Sequence, residues 1–160
     1  MAKAPAVEGL EVERLGAGPS VVLVHGSVVG AARTWRHQRP LADEWTLVMP
    51  NRPGFGASPP LERGDFEAEA PLMAAFLQDG AHLAGHSYGA IIALYAAALT
   101  PASVLSLTVS EPGCLRLAAG DPQVDEQIAH GELLYEHAAE LSPRAGSRAA
   151  GRPPRAGARV

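Results

Sequence analysis

The sequence predicts an α/β fold with a doubly wound, mostly parallel sheet, on the basis of three observations. Short aliphatic runs typical of buried strands occur at 20–24, 45–50 and 104–109. Segments with a helical spacing of apolar residues stand between them. A strand, a sharp turn and a helix follow one another across 81–99. Such alternation implies right-handed crossovers that place helices on both faces of a parallel sheet.

The composition is that of a globular protein with a sizeable core. The chain has 160 residues, of which 47% are hydrophobic and 19% charged, and this length predicts one domain. No apolar run reaches the ~18 to 20 residues needed to cross a bilayer, and the first residues lack the apolar core of a signal peptide. The sequence therefore predicts a cytoplasmic protein that does not enter a membrane.

Charge is distributed unevenly along the chain. The net charge is −4, but residues 142–160 contain five arginines and no acid, so the preceding part is strongly acidic. An acidic body disfavours binding to nucleic acid or to a membrane surface, which leaves the basic stretch as the one candidate for nucleic-acid contact. The single cysteine, Cys114, excludes an internal disulfide and a thiolate metal cluster, and we expect a small buried apolar thiol.

The N-terminal third contains two strand patterns and one helical pattern. Residues 10–15 alternate apolar and polar side chains, which predicts a half-exposed edge strand. Residues 20–24 contain four consecutive aliphatic side chains, the pattern of a strand buried on both faces. A helix is predicted over about 33–43, with Trp35 and Leu41 as its core anchors.

The rest of the chain continues the alternation. Residues 45–50 predict a second buried strand, and the turn-forming residues at 51–60 predict a rigid loop. Early acids followed by apolar residues predict a helix over 65–77. The aliphatic run at 104–109 predicts a further strand, and the pattern at 125–141 a last helix.

A five-residue pattern lies between the strand that begins at residue 81 and the helix that follows. It reads Gly85-His86-Ser87-Tyr88-Gly89 and has the form G-x-S-x-G, which places a serine on a tight strand-to-helix elbow with its hydroxyl exposed. The strained turn leaves no room for a Cβ two residues before or after the serine, which explains the two glycines. Alone, the pattern also fits a Gly-rich turn before a buried helix, but the flanking strand and helix favour the elbow.

Three stretches, taken in order, resemble the N-terminal half of the α/β-hydrolase fold family in its serine-nucleophile branch. They are His25-Gly26 after one buried strand, residues 52–58 after the next, and the elbow at 85–89. Each follows the carboxyl end of its own strand, where an open parallel sheet collects its ligands. The resemblance covers about residues 9–115 and implies an α/β-hydrolase sheet that is truncated after the strand following the nucleophile helix.

The resemblance implies roles for the elbow and for the loop after the first buried strand. Ser87 corresponds to the nucleophile, which needs a base to take its proton. The backbone N–H groups of Tyr88 and Ser27 correspond to the oxyanion hole, although Ser27 also fits an ordinary loop residue. Support of the elbow and of the loop is assigned to His25, Gly26, Gly85, His86 and Gly89. Neither histidine is expected to be the base, and residues 52–58 are expected to shape the loop beside the pocket.

The sequence after Ser87 lacks a convincing base. The family's triad runs in chain order serine, acid, histidine, but the later histidines are His130 and His137, both inside a predicted helix. We expect both to face solvent, because a base must reach the serine hydroxyl at hydrogen-bond distance. Glu111 ends the strand after the elbow and is a candidate acid, although its place beside Pro112 also suits a role in shaping the pocket mouth.

The sequence predicts three segments along the chain. These are an α/β-hydrolase core over 1–115, a partial lid or helical segment over 116–141, and a disordered Arg/Ala/Gly/Pro-rich tail over 142–160. Two explanations of the tail stay open. In one, the reading frame is lost near Leu141 in GC-rich codons, and the strand at 104–109 becomes an exposed apolar edge. In the other, the short form is real and carries a functional basic tail.

The leading hypothesis is a serine-type hydrolase that cleaves an ester or related acyl bond of a small molecule through an acyl-enzyme. As it stands the chain is expected to be weak or inactive, because the base is missing. Serine rather than aspartate at the elbow disfavours the dehalogenase and epoxide-hydrolase branches, and no metal or organic cofactor is implied. The alternative is a non-catalytic α/β-hydrolase-like binding protein whose basic tail contacts an anionic partner, such as nucleic acid or acidic protein. The acyl group, the leaving group and the oligomeric state stay open.

Overall fold

The computed structural model of the chain describes residues 9–62, 64–77 and 79–141, with side chains described as far as residue 133. One sheet is formed by five strands, β1 (Val12–Leu15), β2 (Ser20–Val24), β3 (Thr46–Pro50), β4 (Ala81–His86) and β5 (Val104–Ser110). Their order is β1-β3-β2-β4-β5, and all neighbours are parallel except β1 and β3. The predicted fold class is confirmed, and β1 lies at an edge as its alternating pattern predicted.

Helices connect the strands. The α-helices are α1 (Ala31–Thr34), α2 (Phe66–Ala74), α3 (Tyr88–Leu99) and α4 (Pro122–Leu141), and short 3₁₀ helices occupy Arg39–Asp43, Ala75–Leu77, Pro101–Ser103 and Leu115–Ala118. The Asp65 carboxylate caps α2 by accepting a hydrogen bond from the N–H of Ala68 at 2.8 Å. With its 3₁₀ extension, α2 confirms the helix predicted over 65–77.

The sheet separates two apolar cores, because alternate residues of each buried strand point to opposite faces. On one face Val22, Val48 and Leu83 pack with α2 and α3. On the other face Leu23 and Leu47 pack with the residues that follow β2. Both faces of the central strands are covered, which explains their continuous aliphatic runs.

The single helix predicted over 33–43 is wrong. The structure has the one-turn α1, then turns, and then the 3₁₀ helix Arg39–Asp43. Pro40 has no N–H to donate to the carbonyl four residues earlier, and its ring disfavours a helical conformation at the preceding residue. As a result Trp35 is half-buried against the second core, whereas Leu41 is 51% exposed and is not a core anchor.

The sheet ends at β5, whose apolar side chains are exposed. Leu105 is 61% exposed, Leu107 37% and Val109 39%. The residues predicted to form the strand at 104–109 therefore do so, and they form the apolar edge that the sequence suggested. The first compact unit of the chain ends just beyond this strand, at Pro112.

The second compact unit begins at Gly113 and contains α4. Asp121 accepts hydrogen bonds from the N–H groups of Gln123 and Val124, so that α4 begins earlier than residue 125. Cys114 is half-buried and not the buried thiol that we expected. The predicted tail at 142–160 lies outside the described residues. None of the described helices is both long enough and apolar enough to cross a membrane.

Candidate active site

The carboxyl ends of β2 and β4 meet in the middle of the sheet. The two strands are neighbours, with Val24 paired to Gly85, but the chain continues from β2 to β3 on one side and from β4 to β5 on the other. Ligands of open α/β sheets bind in the crevice at such a switch point. His25-Gly26 and Ser87, which leave these two strand ends, are brought together as the sequence predicted.

Ser87 occupies the turn between β4 and α3 in a conformation that glycine adopts most readily. Its φ is +55° and its ψ is −122°, in a region that costs an L-residue on the order of 1–3 kcal/mol. Its N–H donates to the carbonyl oxygen of Ser110 at 2.9 Å, and its C=O accepts from the N–H of Ala90 at 3.0 Å. The half-buried Ser87 side chain makes no cap to α3, so the helix begins without using the hydroxyl.

The two glycines of the elbow are required by close backbone contacts. A Cβ on Gly85 would lie 2.5 Å from the carbonyl oxygen of Gly89, which confirms that α3 folds back onto its own strand. A Cβ on Gly89 would lie 2.4 Å from the carbonyl oxygen of Val24 and 2.3 Å from that of His25. Gly89 is therefore required by the carboxyl end of β2. The sequence had predicted instead that β4 requires it.

The loop after β2 lies directly against the serine. A Cβ on Gly26 would lie 3.1 Å from the Ser87 Cβ and 3.3 Å from the carbonyl oxygen of His86, so Gly26 lets the two segments approach. Ser27 follows in an exposed position, and Tyr88 begins α3. The two residues predicted to supply oxyanion-hole N–H groups thus flank the contact between the loop and the elbow.

A buried arginine joins the loop, the elbow and α2. Arg52 is 2% exposed, and its guanidinium donates from Nε and Nη2 to the two carboxylate oxygens of Glu69, at 2.7 and 2.9 Å. Its Nη1 donates to the carbonyl oxygen of Gly26 at 2.9 Å. The guanidinium carbon lies 4.3 Å from the centre of the Tyr88 ring, a cation–π distance. Arg52 therefore shapes the site, as expected for residues 52–58.

Sequence reasoning missed Glu69, which is also 2% exposed. It stands four residues before the fully buried Met73 on the inward face of α2. A carboxylate on the apolar stripe of a helix is almost never buried unless it is paired. The position of Glu69 among apolar residues of α2 was therefore the sequence signal that could have indicated a buried, paired carboxylate.

The end of the 51–58 loop is tied back to β1 and to its own start. The Ser58 hydroxyl donates to the carbonyl oxygen of Asn51 at 2.7 Å and accepts from the N–H of Glu11 at 2.9 Å. The Glu11 carboxylate accepts from the N–H of Ala57 and from the Asn51 amide, and these hydrogen bonds lower the pKa of Glu11. The turn-forming residues therefore form a closed loop that fixes the backbone of Arg52.

His25 is held neutral inside the protein. It is completely buried, and burial together with the nearby Arg52 charge lowers the pKa of His25 from 6.5 to about 4. Its Nε2 accepts a hydrogen bond from the N–H of Arg52 at 2.9 Å, so the proton resides on Nδ1, which donates to the Gly26 carbonyl oxygen at 2.8 Å. Both ring nitrogens are used in holding the loop, and neither reaches Ser87.

The structure brings Glu111 to His86. The His86 Nε2 and a Glu111 carboxylate oxygen are 3.2 Å apart, and the Glu111 side chain is 80% exposed. Glu111 has a φ of +51°, so the chain turns sharply after β5. His130 is exposed on α4, and the side chain of His137 lies outside the described residues. Among the side chains described between residues 9 and 133, no histidine hydrogen-bonds to the Ser87 hydroxyl.

A cleft of about 400 Å³ opens beside the elbow. Its lining residues come from the segment after β2 and from the ends of β4 and β5, and they are Val29, Arg33, Thr34, Trp35, Arg36, Gln38, His86 and Ser110. Ser87 does not line this cleft. In the described part of the chain, no group of three His, Cys, Asp or Glu side chains could hold a metal ion.

The buried pair between Arg52 and Glu69 gives a prediction about stability. We expect Glu69→Gln to lower the free energy of unfolding by about 3–5 kcal/mol, because it leaves a buried guanidinium without a counter-charge. The matched control is Glu13→Gln, which breaks the half-exposed pair that Glu13 forms with Arg39 at 2.7 Å and should cost less than about 1 kcal/mol. Urea unfolding at pH 7 measures both, and equal costs would contradict the role of the buried pair.

The lowered pKa of His25 predicts a dependence of stability on pH. Below pH 6.5 the unfolded chain binds a proton at this histidine, whereas the folded chain does so only near pH 4. Neutral His25 therefore contributes fully to the free energy of unfolding above pH 6.5. This contribution falls by about 2 kcal/mol between pH 7.5 and 5. Urea unfolding of His25→Gln, which keeps an acceptor for the Arg52 N–H, should lack this loss. Identical pH profiles for the two proteins would contradict the assignment.

Comparisons with known proteins agree with this geometry. The chain matches the model of the alpha/beta hydrolase family over residues 21–159. A pimeloyl-[acyl-carrier protein] methyl ester esterase of Chromobacterium violaceum is 40% identical over 100 residues, which are 62% of this chain and 39% of the relative. The protein of the same name from Methylococcus capsulatus is 37% identical over 114 residues, which are 66% of this chain and 44% of the relative.

A solved structure extends the comparison to three dimensions. A thermophilic esterase from Thermogutta terrifontis superimposes with a TM-score of 0.60 at 28% identity, over 64% of this chain and 40% of that chain. The chain thus spans about two fifths of the length of the proteins that it matches. Because the family model covers most of its residues, the chain belongs to the alpha/beta hydrolase family.

Proposed function

We propose that Ser87 is the nucleophile of a serine-type esterase that works through an acyl-enzyme. The observation that supports this most directly is the backbone of Ser87, which is held at φ +55° with a hydroxyl that makes no helix cap. Strain of this kind persists only where the surroundings enforce it, and it is concentrated at functional sites. Here the enforcing contacts are those of Gly85 and Gly89, whose Cβ positions are filled by backbone atoms.

In the proposed reaction the Ser87 oxygen forms a bond to the acyl carbon, and the bond from that carbon to the alcohol oxygen breaks. The alcohol leaves with a proton, and water then releases the acid and restores the serine. We assign the stabilisation of the oxyanion to the backbone N–H groups of Ser27 and Tyr88. We assign Glu111 to orienting the ring of His86, which its carboxylate contacts at 3.2 Å, and not to a direct contact with Ser87.

Turnover by the chain as it stands is proposed to be slow. A serine hydroxyl is a weak nucleophile unless a neighbouring base takes its proton. In the described part of the chain, His25 has both ring nitrogens in other hydrogen bonds, and His86 contacts Glu111. General base catalysis contributes typically about 10² to 10⁴ in rate, and that factor is the one missing.

Acylation of Ser87 tests the proposed nucleophile. Incubation with p-nitrophenyl butyrate at mildly alkaline pH should add one butyryl group to the peptide that contains Ser87, as measured by mass spectrometry. Ser87→Ala should remain unmodified. Butyrylation of another residue at the same rate in both proteins would contradict the proposal.

Two substitutions at Ser27 test the oxyanion hole. Ser27→Ala keeps the backbone N–H and should be acylated as fast as the unmodified protein. Ser27→Pro removes the N–H and should slow acylation by about 10² or more, the usual loss for one oxyanion-hole donor. Because Ser27 is exposed, circular dichroism should show the same fold for both variants. Equal rates for the two would exclude the Ser27 N–H from the reaction.

For the substrate we propose the methyl ester of an acyl chain carried by an acyl carrier protein. The support is that relatives 40% and 37% identical to this chain are pimeloyl-[acyl-carrier protein] methyl ester esterases. The carrier-bound methyl ester should therefore slow the butyrylation of Ser87 at lower concentrations than the free methyl ester of the same chain. Equal inhibition by the two esters would argue for a small ester without a carrier.

A further inference from the structure

Arg52 holds one end of a peptide group that reaches from the buried interior to the surface. Its Nε and Nη2 form the side-on pair with the Glu69 carboxylate, which sets the plane of the guanidinium and leaves Nη1 to donate to the Gly26 carbonyl oxygen. Gly26 is buried, whereas Ser27 is exposed. The Gly26 carbonyl and the Ser27 N–H belong to the same planar peptide. Arg52 therefore contacts the buried end of the peptide whose exposed end carries one N–H assigned to the oxyanion hole.

The Gly26 carbonyl oxygen accepts two hydrogen bonds from buried donors. One comes from Nδ1 of His25 at 2.8 Å and the other from Nη1 of Arg52 at 2.9 Å. Both side chains are buried, and together they use the two lone pairs of the oxygen. In a trans peptide the N–H points away from the C=O. These two hydrogen bonds therefore set the direction of the Ser27 N–H.

The charge of Arg52 also strengthens the donor at the other end of the peptide. A hydrogen bond from a charged donor is roughly twice as strong as a neutral one, and hydrogen bonds in series polarise one another inside a protein. A guanidinium that draws electron density to the Gly26 oxygen makes the Ser27 N–H a better donor to a negative oxygen. Because Arg52 is buried, salt and water screen this effect little.

The same side chain contacts the second residue assigned to the oxyanion hole. The guanidinium carbon lies 4.3 Å from the centre of the Tyr88 ring, and this ring packs against Phe66 with 4.3 Å between the ring centres. Tyr88 begins α3 directly after Ser87. Arg52 thus contacts the loop that carries one assigned donor and the residue that carries the other.

We propose that Arg52 is a positioning residue of the oxyanion hole, which fixes and polarises the Ser27 N–H through the Gly26 carbonyl and contacts the second donor residue through the Tyr88 ring. Arg52 does not itself touch the substrate. Glu69 supports this role, because it holds the guanidinium in the plane from which Nη1 reaches Gly26. The inference rests on the proposed function, since an oxyanion forms only if a nucleophile attacks an acyl carbon.

Replacement of the whole ion pair tests this role without leaving a buried charge. Arg52→Met together with Glu69→Leu introduces apolar side chains of similar size, an exchange that buried ion pairs often tolerate without loss of stability. The backbone N–H of residue 52 still donates to His25. Acylation of Ser87 by p-nitrophenyl butyrate should slow about tenfold or more, because the donor is no longer held in place. An unchanged rate would overturn the proposal.

The matched control is the same exchange at a second bidentate pair. Arg39 donates to the two carboxylate oxygens of Glu13 at 2.7 and 3.0 Å, which joins β1 to the 3₁₀ helix Arg39–Asp43. Arg39→Met together with Glu13→Leu should leave the acylation rate unchanged, and circular dichroism should show the same fold for both double variants. Equal slowing in the two would reveal a general effect on the fold and contradict the role of Arg52.

A double-mutant cycle identifies the donor through which Arg52 acts. In a Ser27→Pro background the N–H is already absent, so exchange of Arg52 and Glu69 should slow acylation much less than it does in the unmodified background. The loss that remains measures the Tyr88 contact. The same fold-loss in both backgrounds would show that Arg52 does not act through the Ser27 N–H, and the proposal would be wrong.

The amide signal of Ser27 reports the contact independently of acylation. In protein labelled with ¹⁵N-serine, the signal that disappears in Ser27→Ala is that of Ser27. It should shift in the double variant of Arg52 and Glu69 and stay in place in the control double variant. An unmoved signal, or a shift with an unchanged acylation rate, would refute this inference alone. Failure of the unmodified protein to become acylated at Ser87 would instead refute the proposed nucleophile.

Discussion

The buried guanidinium of Arg52 is the constraint on which the rest of the site depends. A buried charge is tolerated only when it is paired and its donors are satisfied. Arg52 meets this requirement with groups from three places, namely the Glu69 carboxylate of α2, the Gly26 carbonyl after β2 and the Tyr88 ring of α3. If the Glu69 carboxylate moved, an unpaired charge would remain inside the protein, and if the Gly26 carbonyl moved, a buried N–H donor would lack its acceptor. The ion pair between Arg52 and Glu69 therefore fixes the relative positions of these three segments more than it adds to the net stability of the fold.

The strain at Ser87 is maintained by contacts of a different kind. Backbone atoms of α3 fill the space beside Gly85, and the carbonyl groups of β2 fill the space beside Gly89. Protein interiors are close-packed, so the surrounding atoms relax little when one atom is displaced. The helix cannot shift away from the strand end without opening the Ser110 hydrogen bond that holds the Ser87 N–H. Polar contacts thus fix the loop, and steric contacts fix the elbow against it.

The sequence predicted those features whose causes are local. The aliphatic run at 20–24 and the glycine spacing at 85–89 each report a constraint within a few residues, and both appear in the structure. The single helix predicted over 33–43 does not form although the reason is local, because Pro40 interrupts a stretch whose apolar spacing favours a helix. The contacts of His25 and Glu69 with Arg52 could not be predicted, because Arg52 is 27 and 17 residues away from them in the chain. Such pairings depend on the strand order, which periodicity does not encode.

The contacts that hold the elbow at Ser87 all come from residues between Val24 and Ser110. Gly26 lies against Ser87 and the Arg52 guanidinium against the Tyr88 ring. Arg52 is itself held by Glu69 and by Gly26, and Ser110 supplies the hydrogen bond to the Ser87 N–H. The strained geometry of the serine therefore does not depend on a base or an acid being present. Geometry and activation of the hydroxyl are separable, since proton removal requires only that a base reach an already positioned oxygen. In the described part of the chain the contacts that hold the Ser87 backbone are present, and no described histidine hydrogen-bonds to its hydroxyl.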